Sequence, residues 1–236
     1  MLLPFPGLEF CVLGADVLGM RRLLSAAVAA AALTLSGLLP AGQAVAATTY
    51  HVSLRAAVDG LKVASEHRTG YARSKFTHWV DADGDGCDTR SEVLLAEAVT
   101  KPKVGSRCTL TGGAWVSYYD RKRWTDRGRI DIDHLVPLAE AWDSGAWRWT
   151  AAQRTAYAND LGDPRTLVGV TDSVNQSKAD RDIAEWRPAS DGCRYVREWT
   201  AVKLRWQLTV DSTEKAAMKK LAGSCSNVTL TVTRAI

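Results

Sequence analysis

The segment Asp131-Ile132-Asp133-His134-Leu135-Val136-Pro137 constrains this chain more than any other stretch. Read as the end of a strand over 129–133, it sets Asp131 one strand period before Asp133, on the same face. A proline follows where a helix over 138–142 can open. Downstream, a second strand over 167–170 runs into a helix over 172–179, for which Asp172 or Ser173 is the expected cap. That helix carries Asn175-Gln176-Ser177-Lys178, so Asn175 and Lys178 lie three residues apart on one face. The prediction is a small two-strand-and-helix core inside an α+β, mostly helical single domain.

The residue types at these positions suit hydrolysis of a phosphodiester with one divalent metal. Such a reaction needs a nucleophile made from water near neutral pH, and a histidine is the side chain suited to that task. It also needs charge stabilisation at the leaving oxygen, which a Mg²⁺ ion held by one or two oxygen ligands supplies. Asp133 and Asn175 are hard oxygen donors, His134 is the candidate base, and Lys178 is placed to face phosphate. Taken singly, each has an ordinary reading as a surface pair, a helix-start residue or a solvated charge. Their order and spacing together favour a site.

Asp-x-Asp-His-x-x-Pro with a later Asn-x-x-Lys resembles the HNH, or His-Me finger, nucleases, including the HNH domain of RNA-guided CRISPR nucleases. The stretches Asp131–Trp147, Asn159-Asp160-Leu161, 167–178 and Ala184-Glu185-Trp186-Arg187-Pro188 are similar to secreted actinobacterial HNH-family proteins. These share the DUF1524 domain found at the C-terminus of GmrSD-type restriction endonucleases. The likeness runs from about Tyr71 to Cys225. It implies a ββα-metal finger with His134 as general base and Asp133 and Asn175 as metal ligands. Asp131 becomes an outer or additional ligand. Asn159 becomes the residue that braces the loop and orients the histidine, and Lys178 a basic group near the scissile phosphate. Mg²⁺ or Mn²⁺ is the implied metal, and nucleic acid, DNA foremost, the implied substrate. Arg90, Arg165 and Arg181 are candidate phosphate contacts that position substrate without reading sequence.

Residues 1–47 read as a leader. Met20-Arg21-Arg22 opens an n-region, 23–39 is an apolar run, and Ala44-Val45-Ala46-Ala47 is a small-residue cleavage site. Met20 is then the expected start, with 48–236 as the exported domain and no stable membrane association. A single membrane anchor is the competing reading of the apolar run. Beyond the leader stand Cys87, Cys108, Cys193 and Cys225, an even set that in an exported chain reads as disulfides. Proximity favours Cys87–Cys108 and Cys193–Cys225. A zinc site competes, but no Cys-x-x-Cys spacing occurs. The formal charge of +4 permits nucleic-acid binding without arguing for it. A monomer is the expected state.

Asp81-Ala82-Asp83-Gly84-Asp85-Gly86-Cys87-Asp88-Thr89-Arg90-Ser91-Glu92 matches the EF-hand loop, with carboxylates at Asp81, Asp83, Asp85 and Glu92. Asp88 at a normally apolar position and the cysteine weaken that match. The resemblance offers a site-shaping loop instead, and the two readings are compatible. Elsewhere, 50–66 predicts one amphipathic helix, 74–80 a short helix, 92–99 a helix, 109–119 a strand or hairpin around Gly112-Gly113, and 151–158 a helix ending at Asn159. Tyr195, Trp199, Val202 and Trp206 form a core stripe, and 211–222 a final helix capped by Asp211 or Ser212. His51, His67 and His78 read as surface or packing residues. Two other classes fit some of these features: an exported nuclease toxin, and a non-enzymatic calcium-binding module resting on the acidic loop alone.

Overall fold

The structure, a computed structural model, describes residues 48–236, so the leader and its cleavage site lie outside the described residues. In chain order, β1 (Thr49–Ser53) runs straight into α1 (Leu54–Gly60). Helix α2 (Thr89–Glu97) follows the acidic loop, with Asp88 accepting from the Ser91 amide at 2.8 Å as its N-cap. Two short antiparallel ribbons come next, β2 (Lys103–Val104) with β3 (Leu110–Thr111) and β4 (Trp115–Val116) with β5 (Arg123–Trp124). Then β6 (Ile130–His134), α3 (Leu138–Asp143), α4 (Ala151–Ala158), β7 (Leu167–Thr171) and α5 (Asp172–Lys178) build the central unit. Helices α6 (Gly192–Arg205) and α7 (Ser212–Gly223) and strand β8 (Thr229–Thr233) complete the chain.

Strands β6 and β7 pair antiparallel, with Asp133 opposite Val168 and His134 opposite Leu167. Ile130 and Ile132 point into the hydrophobic cluster that also holds Val93, Leu94 and Trp115. The pleat therefore turns Asp131 and Asp133 to the other face, where α5 lies. Helix α4 starts with a capping box between Thr150 and Gln153 and ends at Asn159, as its pattern predicts. Helix α5 departs from expectation at its start. Thr171 is the N-cap and no side chain caps the helix, because β7 continues into it without a loop.

Two larger corrections concern the periphery. Residues 50–66 do not form one helix. Thr49–Ser53 pairs with Thr229–Thr233, and only Leu54–Gly60 is helical, burying Leu54, Ala57 and Val58. The Thr-Leu-Thr-Val-Thr alternation of β8 supplies the partner, and a partner so distant in sequence leaves no local mark on β1. Residues 109–119 are not one hairpin either. Gly112 (φ 70°) and Gly113 (φ 92°) carry the chain from one ribbon to the next. A Cβ at Gly113 would meet the Trp115 ring at 2.8 Å, so the turn needs glycine there.

Both disulfides pair as proximity predicts, Cys87–Cys108 and Cys193–Cys225. Closing loops of 21 and 32 residues constrains the unfolded chain by about 3–4 kcal/mol each on the loop-entropy account. The main core packs α1, α3, α6 and α7 around Tyr157, Tyr195, Trp199 and Trp206, so the predicted stripe is core. Inside it, the Lys203 ammonium reaches Glu140 Oε1 at 2.6 Å, Ser144 Oγ at 2.7 Å and Glu214 Oε2 at 3.0 Å. This joins α3, α6 and α7 through one cation shared by two buried carboxylates. Burial, only partly offset by Lys203 and aggravated by Glu140, pushes the Glu214 carboxyl up to about 8.

The pH consequence follows from that shift. At neutral pH the folded chain holds a proton on Glu214 that the unfolded chain has released. Its stabilisation is full below the ordinary value of 4.5 and is lost as pH rises through about 8. Urea unfolding free energy is expected to fall from pH 5 to pH 8, by up to about 1.4 kcal/mol per pH unit from this group. Glu214→Gln should flatten that slope, and equal slopes in the two proteins would refute the assignment.

Candidate active site

The strand repeat of two and the helix step of three bring four polar residues into register. On α5, Asn175 meets Asp131, its Nδ2 donating to Asp131 Oδ2 at 3.3 Å. Lys178 meets Asp133, its Nζ donating to Oδ1 at 2.9 Å and Oδ2 at 2.6 Å. The third Lys178 proton goes to the His134 carbonyl at 3.0 Å. Tyr119 adds its hydroxyl, donating to Asp133 Oδ2 at 2.6 Å.

This corrects the expectation for Lys178. Its side chain is fully buried, and three acceptors use all three of its N–H bonds, so it does not face a phosphate. It holds Asp133 in place. Enclosure pushes the Asp133 carboxyl up and the Lys178 ammonium down from their ordinary values, each against the attraction of the other.

His134 is buried, and its Nε2 lies 2.9 Å from the Ala158 carbonyl oxygen. A carbonyl only accepts, so Nε2 carries the hydrogen and Nδ1 keeps the lone pair. The ring lies between Trp79, 5.7 Å away at an interplanar angle of 25°, and Tyr157, 6.1 Å away at 27°. Burial is the largest cause that pushes the imidazole down to about 3, with the Ala158 carbonyl opposing and Arg73, His78 and Lys178 adding to it. The neutral ring is the form present at ordinary pH.

Asn159, next to Ala158, uses its whole amide. Its Oδ1 accepts from the Val80 amide at 3.0 Å and the Thr89 hydroxyl at 2.9 Å. Its Nδ2 donates to the Thr77 and Thr155 carbonyls at 2.7 and 2.8 Å. One side chain thus ties the end of α4 to the 77–80 segment that carries Trp79 and to the start of α2. Trp79 sits at φ 62°, a left-handed conformation unusual for a bulky residue, held by its anchored neighbour Val80.

Asp133, His134 and Asn175 line a cavity of about 200 Å³ together with Arg73, Pro137, Gln176 and Asp180. A wider groove of about 940 Å³ between α4 and the C-terminal residues is lined by Asn159 but contains neither His134 nor an aspartate from β6. It lacks the base, so the smaller cavity is the candidate site.

The three arginines expected at phosphate are dispersed. Arg90 donates to the Ile130 carbonyl at 2.8 Å and steadies the start of β6. Arg165 is paired with Asp163 and the Thr231 carbonyl. Arg181 donates its Nε to the Lys178 carbonyl at 3.2 Å and is otherwise exposed. None of them lines the cavity. Sequence reasoning misses Tyr119 and Arg73 at the site and reads His78 as a surface or packing residue. His78 stands 6.4 Å from the His134 ring. Nothing in the local pattern of Tyr119 signals its partner, although Trp79 adjoins the acidic loop that the resemblance sets beside the site.

In that loop the carboxylates of Asp81, Asp83 and Asp85 lie within 4.8 Å of one another, and Asp81 accepts from the Gly84 and Gly86 amides. Glu92 joins Asp85 in a second close group, and burial, then Asp85, Asp83 and Asp81, raise its carboxyl. The entering helix of an EF-hand is absent among the described residues. A single 3₁₀ turn at Arg73–Lys75 precedes the loop instead.

A sequence comparison decides the family. Residues 92–221 match the family described as GmrSD restriction endonucleases, C-terminal domain. The chain belongs to that family, a restriction-type nuclease family. It is also 44% identical over 158 residues to a protein of Arthroderma benhamiae named an uncharacterized secreted protein, covering 66% of this chain and 76% of the relative. No solved structure matches this chain. Among the described residues, no helix is long and apolar enough to cross a membrane.

Asn159→Ala removes four hydrogen bonds at once. Expected is a loss of about 2–4 kcal/mol of unfolding free energy, with the Val80 amide losing protection in hydrogen exchange. Unchanged Val80 protection would show that the segment holds itself.

Proposed function

We propose that this protein is a secreted, metal-dependent endonuclease of the His-Me finger type, hydrolysing phosphodiester bonds of DNA, and of RNA as a secondary substrate, with little sequence preference. The observation that carries the reading is His134. Its tautomer is set by the Ala158 carbonyl, and it lines a cavity beside Asp133 and Asn175 on a strand–strand–helix unit. Membership of a restriction-type nuclease family supports the reaction class. The name of the fungal relative supports export by the leader.

The donor set fits a hard divalent cation. Asp131 and Asn175 are adjacent and half-buried, and Asp133 keeps lone-pair capacity beyond its bonds to Lys178 and Tyr119. Asp131, Asp133 and Asn175 would hold Mg²⁺ or Mn²⁺, with the Asn175 amide turned to present its oxygen. When bound, such an ion neutralises charge on the phosphate and the leaving oxygen. In the chain's own part of the reaction, Nδ1 of His134 takes a proton from water as the water oxygen attacks phosphorus, and the P–O bond to the leaving 3′ oxygen breaks, that oxygen taking a proton from solvent. The Ala158 carbonyl steadies the positive charge that then forms on the ring. A ring held down near 3 is a weak base in the free protein. An anionic phosphodiester entering the cavity opposes that shift, which couples base strength to substrate binding.

Plasmid cleavage by the purified protein with Mg²⁺, Mn²⁺, Ca²⁺ or EDTA tests the reading. Activity should vanish in EDTA, and His134→Ala should lose about 10²–10⁴-fold. Full activity in EDTA or in the mutant would sink it.

We assign a structural Ca²⁺ to the acidic loop. Ca²⁺ at millimolar concentration is expected to raise the melting temperature, and Asp83→Ala to abolish the rise while leaving cleavage intact. No change in melting with Ca²⁺ would exclude the assignment.

A further inference from the structure

Burial of Lys178 leaves the cavity without the cation that its sequence position suggests, and the geometry points to Arg73 as the side chain that grips the substrate phosphate. The inference rests on the nuclease reading and names the substrate contact of the same site. Four observations converge on it. First, a cavity built around a base and carboxylates needs a positive group to admit a phosphodiester anion. Lys178 has spent its charge and its three donors on Asp133 and the His134 carbonyl. Second, Arg90 and Arg165 are engaged elsewhere, and Arg181 does not line the cavity. Third, Arg73 does line it, is exposed, and makes no side-chain hydrogen bond or salt bridge among the described residues. A guanidinium with all five N–H donors free matches phosphate oxygens in bidentate fashion.

Fourth, the mount is rigid although the head is free. Arg73 opens the 3₁₀ turn whose Phe76 amide bonds back to the Arg73 carbonyl at 3.0 Å, and the Phe76 ring is buried. Arg154 Nε donates to the Lys75 carbonyl at 3.3 Å, and Asn159 holds the Thr77 carbonyl at 2.7 Å. The same asparagine therefore fixes the backbone beneath Arg73 and adjoins the carbonyl that fixes His134. Base and clamp share one brace, which sets the distance between the attacked phosphorus and the groups that act on it.

Asp180 lines the same cavity and is the competing partner. If Arg73 served to latch onto Asp180, removing either charge would have the same effect. A phosphate clamp predicts the opposite, because Asp180 then repels the substrate.

Cleavage of a fluorescent DNA duplex by the wild type is compared with Arg73→Ala, Arg73→Lys, Asp180→Asn and the exposed control Lys103→Ala. In parallel, binding of uncleaved duplex is followed by anisotropy in His134→Ala with and without Arg73→Ala, from 50 to 200 mM salt. Expected are a loss of at least about 30-fold in kcat/KM for Arg73→Ala and partial recovery with lysine. Asp180→Asn should match or exceed the wild type, and Lys103→Ala should match it. The slope of log affinity against log salt should fall by about one, with melting temperatures unchanged. Arg73→Ala within threefold of wild type, or Asp180→Asn matching its loss, would overturn the clamp. A wild type that cuts DNA in none of Mg²⁺, Mn²⁺ or Ca²⁺ overturns the nuclease reading instead. The salt slope then still judges Arg73, since an unchanged slope removes it from the phosphate.

Discussion

The buried pair Asp133–Lys178 is the constraint on which the rest of this structure depends. It joins the fourth residue of a five-residue strand to the last residue of a seven-residue helix, and neither element is long enough to stand alone. A lysine with no exposed surface is tolerable only because three acceptors surround it. Removing either partner would leave an uncompensated buried charge, which typically costs about 3–5 kcal/mol. The pair also explains the chemistry of its surroundings. With its charge balanced from below by Lys178 and Tyr119, Asp133 does not flood the cavity with negative potential. His134 next to it remains a neutral imidazole.

The second organising contact is a pair of consecutive residues at the end of α4. Ala158 offers its carbonyl to the histidine, and Asn159 spreads its amide over its own helix and two other segments. Because they are neighbours in sequence, the tautomer of His134, the left-handed Trp79 and the start of α2 are all referred to one helix terminus. The segment 73–80 is held the same way. Substrate-facing groups at the ends of different elements stay in register when one rigid end supports them all.

Much of the site was legible in the sequence because its grammar is local. The 131–137 and 172–178 patterns predict the right elements. Their periodicities of two and three place Asp131 with Asn175 and Asp133 with Lys178. The disulfides were equally legible, since a short loop between cysteines favours closure. Illegible was what depends on burial and distance. Lysine reads as solvated by default, and only the fold shows that α5 presses Lys178 against β6. Tyr119 and Arg73 come from segments with no distinctive pattern, and β1 has its partner at the far end of the chain. The three candidate arginines came from the resemblance or from flanking the finger, and the fold uses all three to tie backbone carbonyls.

Perturbed ionisation alone would not have found the site. The Lys203 cluster in the core is also buried and also shifted, and it joins three helices. The difference is access. Every strong donor of Lys203 is spent inside the core, and its carboxylates are covered by α3, α6 and α7. Asp133, bonded to Lys178 and Tyr119, keeps lone-pair capacity and lines a cavity with His134 and Asn175, and Arg73, unpaired among the described residues, stands on its wall. A structural ion cluster satisfies all its members. The proposed site leaves the His134 lone pair and the Arg73 charge unmatched, which is what binding the proposed substrate there would require.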